Sequence, residues 1–131
     1  MKRFALACML AIACESMDKP TDPVWGKQAC SSCGMIVGDR TTAAQVVTTS
    51  DERFFFDDPG CMVVWLADHP NKEKHVWVRD AKSDAWLDAA SAKWTSDART
   101  PMDYGWVANT SSGDDWQTMR ASVLKKKESE R

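Results

Sequence analysis

Residues 41–66 read TTAAQVVTTSDERFFFDDPGCMVVWL, and this stretch decides the fold. Thr41 to Thr49 is rich in β-branched residues and predicts a strand. Arg53-Phe54-Phe55-Phe56 predicts its hairpin partner, with Ser50-Asp51-Glu52 turning between them. Asp57-Asp58-Pro59-Gly60 then opens a helix. Asp58 suits the N-cap, and Pro59 suits the first helical position, where no N–H is needed. Met62, Val63, Trp65 and Leu66 give that helix a broad apolar face, and His69-Pro70-Asn71 stops it.

Working towards the C-terminus, His75-Val76-Trp77-Val78 predicts a strand with Val76 and Val78 on one side. Ala85-Trp86-Leu87 is its expected partner after a turn at Lys82-Ser83-Asp84. Gly105 to Ala108 predicts another short strand. Ser112-Gly113-Asp114-Asp115 introduces a last helix, with Ser112 and Asp115 at capping-box spacing and Trp116, Met119 and Val123 on one face. Both helices follow an Asp-Asp pair, with a Met four residues after its second Asp, which hints at two related halves. Segregated strands and helices predict an α+β fold and not a parallel α/β sheet.

Working towards the N-terminus, residues 25–131 form the expected domain. Residues 14–24 are polar with two prolines, Pro20 and Pro23, and read as a tether. Residues 1–13 read as an export signal: Lys2 and Arg3 precede an apolar run from Phe4 to Ala13. That run falls short of the roughly 20 apolar residues a membrane span needs. Cys14 after Leu10-Ala11-Ile12-Ala13 resembles the cleavage and acylation box of bacterial lipoproteins, so its thiol is the expected site of lipidation. The alternative is an ordinary secretory signal with an incidental cysteine. Without Lys2 and Arg3 there are 15 basic against 19 acidic residues. The one basic run, Lys125-Lys126-Lys127, suits a helix C-terminus, so nucleic acid is not an expected partner.

Three thiols then remain in the domain: Cys30, Cys33 and Cys61. An odd number cannot all pair within one chain. Cys30-Ser31-Ser32-Cys33-Gly34-Met35 places two thiols at one turn, where they can address one ion or form a disulfide. A zinc site wants a second such pair or histidines at shorter spacing than His69 and His75 offer. Haem attachment needs His where Gly34 stands. A thioredoxin-like site needs the pair at a helix start after a strand. Thiolate and thioether donors select Cu(I), and Met35 beside the pair, Met62 beside Cys61, and Met102 enlarge the soft donor set. Cys61 falls at about the third helical position, where the helix dipole should favour its thiolate. The candidate metal ligands are therefore Cys33, Met35, Met102, Cys30, Cys61 and Met62. A buried packing role for Met62 and Cys61, and a structural Cys30–Cys33 disulfide, stay open as alternatives.

The chain resembles the NosL family, lipoproteins accessory to nitrous oxide reductase. The resemblance rests on several segments taken in order. These are Cys33-Gly34-Met35, Ala44-Gln45, Phe56 to Met62, Trp77-Val78 with Asp80, Ala85 to Ala89, and Thr100-Pro101-Met102 with Tyr104-Gly105. It implies a fold of two similar small strand-strand-helix-strand units, akin to the organomercurial lyase MerB. It implies a Cu(I) chaperone on the outer face of the cytoplasmic membrane, with Cys33, Met35 and Met102 in the copper site. Its implied partners are apo nitrous oxide reductase and a membrane transporter complex. One departure is Asp103, where the family pattern has Gly.

On this reading the protein carries Cu(I) and catalyses no reaction. Two rival readings are a thiol–disulfide oxidoreductase using Cys30 and Cys33, and a metal-free module that docks a membrane-bound partner through exposed tryptophans.

Overall fold

The computed structural model describes residues 15–131. The signal, residues 1–13, and the expected lipidation site, Cys14, lie outside the described residues. The elements run β1 (Ala44–Thr48), β2 (Arg53–Phe56), α1 (Pro59–Asp68), β3 (Glu73–Arg79), β4 (Trp86–Asp88), β5 (Lys93–Thr95), β6 (Val107–Asn109) and α2 (Trp116–Ser129). The fold is α+β. An antiparallel four-stranded sheet of order β2-β1-β3-β4 stands beside a two-stranded sheet, β5-β6. A strand-strand-helix unit occurs twice, as β1-β2-α1 and β5-β6-α2, but among the described residues only the first helix is followed by a strand.

The local signals work as expected in the first half. Asp51 takes the left-handed conformation (φ 59°) that closes the β1–β2 turn. Asp58 caps α1, its side chain accepting from the Gly60 N–H, and His69 is the C-cap. Val76 and Val78 share one face, in register with Val46 and Ala44. That face, with Phe54 and Phe56, packs on α1: the rings of Phe54 and Trp65 lie 4.8 Å apart. The second helix differs in detail. Its N-cap is Asp115, which accepts from the Thr118 N–H, and not Ser112. Strand β5 carries Trp94, which is fully buried.

β1 is buried along its whole length, so its second face needs a cover. The segment expected to be a free tether supplies it. Gln45 is fully buried and brackets Thr21, donating to its carbonyl at 2.9 Å and accepting from its N–H at 3.2 Å. Arg53 donates to the carbonyls of Ser16 and Lys19. Asp18 meets Lys74 and His75, and Asp22 accepts from the Trp86 indole at 2.9 Å. Residues 16–23 therefore form a strap, satisfying side chains that would otherwise be polar groups without partners. The strap starts at the end of the sheet where Val47 pairs with Arg53 and His75. It finishes at the opposite end, by Gln45 and Arg79.

Candidate metal centre

The strap leads into a tight loop. Ala29 and Ile36 pair as a single antiparallel bridge, and the Cys30 N–H donates to the Met35 carbonyl at 2.7 Å. The Gly34 N–H closes a turn on the Cys30 carbonyl at 3.0 Å. Gly34 has φ +78°, the left-handed region that a residue without Cβ enters freely. The Ser31 N–H donates to the Phe55 carbonyl at 2.8 Å, which fastens this loop to the end of β2.

That fastening sets the two cysteines of the loop against the start of α1. Cys30, Cys33, Asp57 and Cys61 bring one ligand atom each within 4.8 Å of one another. All three cysteines are free thiols, so the loop pair does not form a disulfide. Cys30 and Cys61 are 3% and 2% exposed, whereas Cys33 is partly open and forms the mouth of the cluster. The Cys33 thiol lies 3.4 Å from Asp57 Oδ1. Asp57 is itself buried, its backbone carbonyl held by the Thr42 hydroxyl at 2.8 Å.

The electrostatics follow from crowding. The Cys61 thiol beside it holds Cys30 well below the usual thiol range despite its burial. The same closeness to Cys30 pushes Cys61 up, with burial adding to it. The dipole of α1 was expected to favour a thiolate at Cys61. The crowding against Cys30 outweighs it, and the Cys61 thiol is raised, not lowered. Burial, followed by its neighbours, pushes Cys33 up to about 11. Burial likewise raises Asp57 to about 6, and the Cys30 charge adds to it. Several acids packed together resist full ionisation until a cation arrives.

Of the other residues singled out from the sequence, Met62 is fully buried in the hydrophobic core. It serves there as packing. Met35 is 58% and Met102 40% exposed; with Ile36 and Val24 they are the large apolar side chains left open among the described residues. Met35 is two residues past Cys33. Met102 is held near the start of α1 because its N–H donates to Asp58 Oδ2 at 2.9 Å. Asp103 takes φ +58°, the conformation for which Gly is the cheapest residue and Asp one of the tolerated ones. The loop therefore makes its turn with Asp103 where the resemblance led Gly to be expected. Tyr104 packs tightly against Gly60: a Cβ there would lie 2.0 Å from the ring's Cγ.

His69 stacks on Trp65, and His75 pairs with Asp18, so neither belongs to the cluster. No tryptophan is left fully exposed: Trp65, Trp77, Trp94 and Trp106 are buried, and Trp25, Trp86 and Trp116 are partly buried. This removes the basis for a tryptophan docking surface. Asp57 was missed as a donor. Its signal was the Asp-Asp pair itself: one acid suffices for the cap, which leaves the other, four residues before Cys61, free for another task.

The sequence matches the NosL family over residues 21–112. The chain belongs to the NosL family. No curated protein and no solved structure matches it significantly. In this NosL-family protein the matched span contains all four clustered donors. Family and geometry together make the cluster a candidate metal-binding site, rich in soft sulfur.

Proposed function

We propose that this protein binds Cu(I) through its clustered thiols and delivers it to an exported copper enzyme. Apo nitrous oxide reductase, loaded with its membrane transporter complex, is the client favoured by the family. The protein works lipid-anchored through Cys14 on the membrane and facing the periplasm. One observation carries the reading: three free thiols converge with their ligand atoms within 4.8 Å, and Cys33 alone among them is partly open. Thiolates are the donors that select Cu(I), and two or three suffice for that ion. A partner's sulfur or imidazole joins the ion from the Cys33 side, next to exposed Met35, before the buried thiols let go.

The arrangement is poorly suited to thiol–disulfide exchange. Such an enzyme needs an accessible thiol of depressed pKa. Here the depressed thiol, Cys30, is buried and the accessible one, Cys33, is raised.

The test is an anaerobic Cu(I) titration of the reduced protein against a competing chelator, with Cys8 and Cys14 changed to Ser. About one tightly bound Cu(I) per chain is expected, with a loss of at least tenfold in affinity for Cys33→Ser. Equal affinity in that variant would sink the proposal.

A further inference from the structure

The pairwise spacings in the cluster fit more than a two- or three-coordinate monovalent ion. A tetrahedral Zn²⁺ with Zn–S of about 2.3 Å and Zn–O of about 2.0–2.2 Å sets its sulfurs about 3.8 Å apart and sulfur and oxygen about 3.6 Å apart. Cys33 Sγ and Asp57 Oδ1 already stand 3.4 Å apart. Every pair among the four donors lies within 4.8 Å, so closing on an ion needs movements of about 1 Å at most. The carboxylate is the informative member. A hard oxygen adds little to a Cu(I) site but is an ordinary ligand for a borderline divalent cation. Asp57 is buried at the cluster and aimed at Cys33, not at solvent.

We propose that the same cluster takes a thiophilic divalent cation of the Zn²⁺ class as a four-coordinate site of three cysteines and one aspartate. Asp57 supplies the fourth ligand, whereas Cu(I) is held by sulfur alone. The proposal rests on the reading of this cluster as a metal site but not on the identity of the cargo. Asp57 then sets how far Zn²⁺ competes with Cu(I) for the protein.

Co²⁺ serves as the spectroscopic probe and Zn²⁺ as the competitor, on the reduced full chain carrying Cys8→Ser and Cys14→Ser. One Co²⁺ per chain should give intense visible bands of a tetrahedral thiolate site, abolished by one equivalent of Zn²⁺. Asp57→Asn should weaken Zn²⁺ at least about tenfold while changing Cu(I) affinity less than about threefold. Asp57→Cys, which restores a fourth ligand atom, should recover Zn²⁺ binding; circular dichroism checks that both variants are folded. Absence of the tetrahedral bands, or unchanged Zn²⁺ affinity in Asp57→Asn, overturns the proposal. An equal loss for both metals also overturns it, because Asp57 would then only position the thiols. Cu(I) binding without Co²⁺ binding leaves the chaperone reading standing alone; Co²⁺ binding without Cu(I) binding does the reverse.

Discussion

Replacing Asp58 tests how the candidate metal cluster is tied to the loop that carries Met102. The Asp58 side chain is fully buried and has two partners. Oδ1 accepts from the Gly60 N–H at 2.8 Å, capping α1, and Oδ2 accepts from the Met102 N–H at 2.9 Å. Asp58→Ala removes both. Loss of the cap costs about 0.5–2 kcal/mol. Loss of a charge-assisted bond to an otherwise unpaired amide costs about 1.5–3 kcal/mol. The expected destabilisation is therefore roughly 2–5 kcal/mol, or a Tm lower by about 8–20 °C for a domain of this size. Asp58→Asn keeps a good capping oxygen but turns an NH2 towards the Met102 N–H, so only the second cost applies, about 1.5–3 kcal/mol. Thermal unfolding followed by circular dichroism measures both, and amide exchange at Met102 should rise in each. An Asp58→Ala variant within about 1 kcal/mol of the parent would refute the reasoning. So would an Asn variant as damaged as Ala.

Gly60→Ala should lose roughly 1–3 kcal/mol through overpacking against Tyr104, despite the better helix propensity of Ala, and Gly60→Ala with Tyr104→Ala should recover part of it; unfolding curves decide. Alkylation of the folded, metal-free protein should be slow at pH 7 and should accelerate towards pH 11. The thiolate is the nucleophile, burial raises the accessible Cys33 to about 11, and Cys30, whose thiol is held low, is buried out of reach. Fast labelling near pH 7 would contradict the assigned charges. Gln45→Leu removes both hydrogen bonds to Thr21, so hydrogen exchange should speed up across residues 16–22 with a stability loss of roughly 2 kcal/mol.

The sequence made the local structure legible where a single residue type carries the signal. Asp58-Pro59 fixed the start of α1, and β-branched runs fixed β1 and β3. Strand β5 was not legible, because Lys93-Trp94-Thr95 is short and its burial comes from α2 and β6. Nor was the strap: polar, proline-containing residues look like a linker until buried Gln45 and Arg53 are found to need their backbone groups. At the site, Cys30, Cys33 and Cys61 were legible as soft donors, but their convergence depends on Ser31 binding Phe55 across the fold. Asp57 was hidden behind its neighbour's capping role, and burial of Met62 follows from the packing of α1 on the sheet.

X-ray absorption at the copper edge of the Cu(I)-loaded, reduced protein tests the central claim most directly. A first shell of two or three sulfur neighbours, lost when Cys30, Cys33 and Cys61 are all changed to Ser, is the predicted result. A shell of nitrogen and oxygen neighbours, or copper retained unchanged by the triple variant, would contradict it.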